Sequence, residues 1–100
     1  MHVTLTRVNT GDHPIESAGI FAEEMLTWLR DVEGFEGLLM LSRDGESVGL
    51  TFWATREEAE RQGAVRQQFI QRLTAAVDVE IVERTGYELT FGHLGSLSAD

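Results

Sequence analysis

The side chains of this sequence with chemistry to offer are few and spread along the chain. Gln62 and Arg66 stand four residues apart, so any helix that carries them sets them on one face, and the rest of that face is apolar: Ala59, Val65, Phe69, Ile70 and Leu73. An arginine in such surroundings costs desolvation unless an anion meets it. The anion is either a protein carboxylate or a ligand bearing a phenolate or carboxylate. Gln62 either orients a substrate carbonyl or caps a buried backbone group. Trp53 offers a flat indole with one N–H donor, which either lies over an aromatic substrate or packs as core. Arg7 either borders the same pocket or neutralises acidic neighbours. Phe21 and Trp28, seven residues apart, either line a pocket mouth or complete the core, and Tyr87 supplies a phenol or only a strand edge. As a set, these residues suit a pocket for a planar, anionic or phenolic small molecule.

Other chemistries are closed by composition. The chain has no cysteine, which removes disulfides, thiolate nucleophiles and thiolate metal sites, and no lysine, which removes Schiff-base chemistry. His2, His13 and His93 show no metal-ligand spacing, so no metal is expected. The glutamates at 23–24 and at 57, 58 and 60 read as solvated or helix-capping faces rather than paired catalytic acids. No set of residues is complete enough to be named catalytic. Seventeen acidic against eight basic residues give a formal charge of -9, which repels polyanions and disfavours nucleic acid or an anionic membrane as partner. With no long apolar span and no basic-then-apolar N-terminal pattern, a cytoplasmic location is expected.

The elements that must position these groups are legible. At 100 residues the chain makes one small domain, expected over 1–92 with a frayed tail at 93–100, and it buries only roughly 60–65% of its unfolded surface, so a second subunit would help it. His2 to Val8 alternates with the period of a strand, with Val3, Leu5 and Arg7 on one face. Pro14 and Glu16 suit a first helical turn. A helix follows, with Ile15, Ala18, Ala22, Met25, Leu26, Leu29 and Val32 on its apolar arc and Phe21 and Trp28 at the edge, ended by Gly34. Leu38 to Leu41 and Val48 to Trp53 flank Asp44-Gly45 as a hairpin. Thr55 to Glu58 reads as a capping box opening a second helix from about Arg56 to Ala76. Val77 to Ile81 alternates as a fourth strand, Gly86 interrupts, and Tyr87 to Phe91 reads as a further strand. The order β-α-β-β-α-β predicts a ferredoxin-like α+β sandwich with both helices on one face of a four-stranded antiparallel sheet. Both faces of Leu38–Leu41 are apolar, so the face without helices needs cover from a second sheet or subunit.

Gly34-Phe35-Glu36-Gly37, the hairpin, and Leu50-Thr51-Phe52-Trp53 running into a capped helix together resemble the dimeric α/β-barrel proteins of the antibiotic-biosynthesis-monooxygenase type. The resemblance implies a homodimer in which bare sheets meet as a barrel, often with an exchanged C-terminal strand. Members include cofactor-free monooxygenases acting on aromatic polyketides or quinols, haem-degrading enzymes and isomerase-like relatives. The haem-degrading branch carries an iron-ligating histidine on the second helix, where this chain has Gln62 and Gly63, and a strand-one asparagine where it has Arg7, so haem is not expected. In the monooxygenase branch no bound cofactor is used: a substrate carbanion or phenolate reduces oxygen directly, steered by asparagine, tryptophan and arginine. Trp53 matches that pattern, and Asn9 and Arg66 are of suitable type. The resemblance therefore implies an oxygenase for a phenolic or quinol compound, with a non-catalytic barrel that binds a small ligand in a stress or regulatory role as the alternative.

Overall fold

The computed structural model describes residues 1–63, 67–68, 71–72 and 79–95. Its elements run β1 (His2–Asn9), α1 (Ile15–Leu29), β2 (Phe35–Arg43), β3 (Glu46–Trp53), α2 (Arg56–Arg61) and β4 (Glu80–Glu88). The strands form one antiparallel sheet in the order β2-β3-β1-β4. This is the ferredoxin-like α+β sandwich that the element order predicts. The expected continuation of α2 to Ala76, with Val65, Arg66, Phe69, Ile70 and Leu73, falls largely outside the described residues.

Burial shows which face of the sheet the helices cover. Trp53 and Leu29 are wholly buried and form a core with Met25 and Ala59, against which Phe21, Trp28, Val32, Phe35, Leu38 and Ile81 pack. Because strand side chains alternate, the register places His2, Thr4, Thr6 and Val8 of β1 on the helix side with Trp53, and Val3, Leu5 and Arg7 on the far side with Phe52, Leu50 and Val48. Leu38 and Met40 likewise belong to the helix side, Leu39 and Leu41 to the other. Leu41 is 58% exposed, and with Leu39, Val48, Leu50 and Phe52 it forms an apolar sheet face that neither described helix covers.

The motif at the start of β2 has a physical account in each of its residues. Gly34 has φ +88°, and a Cβ there would lie 2.5 Å from Glu58 Cβ, so only glycine lets the chain pass the first turn of α2. Its carbonyl accepts from the Ala54 N–H at 2.8 Å. The Phe35 ring meets Trp53 edge-on, centroids 5.9 Å apart. Glu36 is the extra residue of a bulge, which turns Gly37 beneath the Phe52 ring, 3.7 Å from where a Cβ would sit.

Three expectations are corrected. Gly34 does not end α1: the helix stops at Leu29, capped by Arg30 in a right-handed conformation, and one further turn precedes the glycine. The buried stripe of α1 is rotated toward Phe21 and Trp28, which pack on the core with Met25 and Leu29, leaving Ile15 and Leu26 48% and 37% exposed. Gly86 does not interrupt the sheet: β4 runs through it, pairing Gly86 with Thr4, and residues 89–95 contain no separate strand. The capping box is half formed. Thr55 Oγ1 accepts from the Glu58 N–H at 3.1 Å, while the Glu58 carboxylate turns to Arg61 at 3.3 Å.

Candidate functional site

Between α2 and the β1–β4 edge lies a cleft of about 390 Å³, within the size range of small-molecule sites. Its floor is set by strand register. His2, Thr4 and Thr6 stand opposite Glu88, Gly86 and Arg84, so one row from each strand rises toward the helices, and all of these but Thr6 border the cleft. The opposite wall is α2, through Arg56, Ala59 and Glu60, with Gly63 just beyond its C-cap.

The charged groups of the cleft differ in how they are held. Arg56 is spent on Glu60, one turn along the helix at 2.9 Å. The His2 ring, its side chain 11% exposed, approaches the Glu88 carboxylate at 3.1 Å through Nδ1. Its other edge lies over Gly86, where a Cβ would come within 2.8 Å of Nε2. The glycine therefore makes room for the imidazole. Arg84 is the distinct case: its Nε is buried without a hydrogen-bond partner among the described residues, and burial pushes the guanidinium below its ordinary pKa.

The residues singled out from sequence are distributed differently. Tyr87 borders the cleft. Trp53 is core, fully buried, the register neighbour of His2 across the β1–β3 ladder. Phe21 and Trp28 pack on that core from α1, away from the cleft walls. Gln62 is half-buried at the C-cap of α2, its N–H donating to the Glu58 carbonyl at 3.2 Å. Arg66 lies outside the described residues. Asn9 is exposed and folds its own turn, Oδ1 accepting from the Gly11 N–H at 3.0 Å.

Arg7 stands on the opposite face of the sheet from the cleft. There its Nη1 donates to Glu46 at 2.6 Å and its Nε to Glu83 at 3.1 Å, with Arg43 reaching Glu46 at 3.4 Å. These bonds, that to Glu83 foremost, raise the Arg7 pKa. Burial works to raise the Glu46 carboxyl, but the hydrogen bonds from Arg43 and Arg7 outweigh it and hold it below the ordinary range. Glu83 is lowered by Arg7 and then by the Thr85 hydroxyl. Acidic strand neighbours are thus what Arg7 meets, the plainer of its two sequence readings.

His2, Arg84 and Glu88 are absent from the residues picked out by sequence. The alternation of β1 already placed His2 with Thr4 and Thr6, but which face met the helices followed only once Trp53 was seen in the core. Arg84 and Glu88 were hidden by reading Gly86 as a break.

With this geometry in view, the likeness to known proteins is one of fold. No family model matches the chain, and no curated protein matches it. Among solved structures, it is similar to a protein of Deinococcus radiodurans provisionally assigned as an antibiotic biosynthesis monooxygenase, at 17% identity and TM-score 0.64 over 99% of this chain and all of that one. It is also similar to an asparagine-to-alanine variant of SnoaB, a cofactor-independent oxygenase from Streptomyces nogalater, at 15% identity and TM-score 0.65 over 91% and 95% of the two chains. The chain therefore has the α+β ferredoxin-like subunit fold of the antibiotic-biosynthesis-monooxygenase type.

Proposed function

We propose that this chain is a cofactor-independent monooxygenase that acts on a phenolic or quinol small molecule held in the cleft between α2 and the β1–β4 edge. The observation that carries this reading is Arg84. Arg84 is half-buried, and its Nε, buried with no partner among the described residues, favours an acceptor, an anionic one most, because a buried donor left unsatisfied costs free energy that a charge-assisted hydrogen bond recovers. A phenolate meets that need, and an electron-rich phenolate is also the species that can reduce oxygen without a bound cofactor, one oxygen atom entering the product and the other leaving as water, with both hydrogens and all four electrons supplied by the substrate. The fold likeness to a cofactor-independent oxygenase supports the same reading. The apolar sheet face is covered by a second copy of the chain. Leu89, Phe91 and Leu94, which are 41%, 84% and 65% exposed beyond the end of β4, are the segment available for exchange with that copy.

The test pairs tryptophan fluorescence with an oxygen electrode. Substituted phenols and hydroquinones should quench the buried Trp53 on binding, and Arg84→Met should weaken that binding at least fivefold while leaving the unfolding midpoint unchanged or raised, since a buried donor without a partner is replaced by an apolar chain. Oxygen uptake with a quinol identifies turnover. Quenching without uptake assigns the non-catalytic, ligand-binding barrel instead, and an Arg84→Met variant with unaltered affinity refutes the anion site.

A further inference from the structure

We infer that His2 is a general base for the substrate hydroxyl and that Glu88 is its positioning residue, an assignment that rests on the cleft being a phenol site. The geometry orients the imidazole from both sides. A carboxylate can only accept a hydrogen bond, so the 3.1 Å contact between Glu88 and Nδ1 places the proton of the neutral ring on Nδ1 and leaves its lone pair on Nε2. Nε2 is the edge that lies over Gly86, a residue of the cleft floor. Any side chain at that position would meet the ring at Nε2 and Cε1 before a ligand did. The lone pair and Arg84 therefore serve one cavity: Arg84, Gly86 and Glu88 follow at every second residue on the helix side of β4, with His2 and Thr4 facing them from β1.

The step is a single proton transfer. The phenolic O–H bond breaks, its proton forms a bond to Nε2, and the electron pair stays on the oxygen, which becomes a phenolate beside Arg84. The imidazolium so formed is stabilised by the Glu88 carboxylate, which holds the ring in place, as a carboxylate does behind an imidazole base in general. The other charged groups bordering the cavity, Arg56 and Glu60 of α2, are paired with each other and oppose in sign. Glu88 is the more exposed partner, at 62% against 11% for the His2 side chain, so the dyad leads from a shielded base to solvent.

The experiment uses 4-nitrophenol, whose absorption moves to longer wavelength on ionisation, with tryptophan quenching as an independent reading of binding. In the wild type, bound 4-nitrophenol should carry the phenolate band one pH unit below the point where the free compound ionises. His2→Gln should bind the compound and lose that band by about fivefold or more, and Glu88→Gln should move its appearance to higher pH. A band of equal strength in His2→Gln overturns the base assignment and leaves the anion site standing, and a wild-type protein that quenches with the phenol still neutral overturns both. Absence of quenching in the wild type overturns the cleft reading and the base with it. The nitrogen chemical shifts of His2 in the wild type give a test that needs no variant to fold: in the neutral ring a protonated Nδ1 and unprotonated Nε2 are expected, and the opposite tautomer refutes the dyad.

Discussion

Replacing Gly34 by alanine isolates the tightest backbone approach in the fold. At φ +88° a residue with a Cβ is strained by about 1–2 kcal/mol. That Cβ would also lie 2.5, 2.7 and 2.9 Å from Cβ, Cγ and Cδ of Glu58, well inside contact distance. The near atom is the root of the Glu58 side chain, which no rotamer change can move, so the first turn of α2 must shift at a cost of about 1–3 kcal/mol. The alanine restricts the unfolded chain and returns about 0.4–1 kcal/mol. The expected net loss is therefore about 2–4 kcal/mol, a large share of the ~5–15 kcal/mol typical of a domain. Urea unfolding followed by far-ultraviolet circular dichroism, at fixed protein concentration, should show the midpoint falling by about 1–2 M. A Glu58→Gly background separates the two causes, since it removes the overlap and leaves the dihedral strain. There Gly34→Ala should cost about half as much, the coupling being read as a double-mutant cycle. An unchanged midpoint in the single variant, or an equal loss in both backgrounds, refutes the account of the α2 approach.

Three further outcomes follow from the same reasoning. Thr55→Ala removes the acceptor for the Glu58 N–H and should destabilise by about 1 kcal/mol, visible in the urea midpoint; no change would mean that the cap contributes nothing. A homodimer joined through the sheet face opposite the described helices should bury roughly 800 Å² or more of each subunit. Light scattering at micromolar concentration should report twice 11.2 kDa, Phe52→Asp should return the monomer, and a wild-type monomer refutes the dimer. Arg7→Met should alter the pH dependence of stability. The Glu83 and Glu46 carboxyls are held below their ordinary value of 4.5, so their pairing stabilises fully above that pH and is lost as pH falls through the lowered values. The gap between wild type and variant should accordingly shrink below about pH 4.5 in urea titrations, and a gap independent of pH would refute that role.

The local chemistry of the chain determined its elements. Alternation in β1, Asp44-Gly45 between two apolar runs, and Thr55 ahead of an acidic helical turn all act within a few residues, and each stands where the sequence placed it. The apolar character of both faces of Leu38–Leu41 was legible for the same reason. What only the tertiary structure decided is which face of each strand meets the helices, because a period of two gives two equivalent faces until something packs on one. Trp53 in the core settles it, and with it Arg7 goes to the far face and His2 to the cleft. Gly86 makes the same point. A glycine in a strand is a break in local terms, yet here it is the space that His2 occupies, a demand set by a residue more than eighty positions away that no local signal contains.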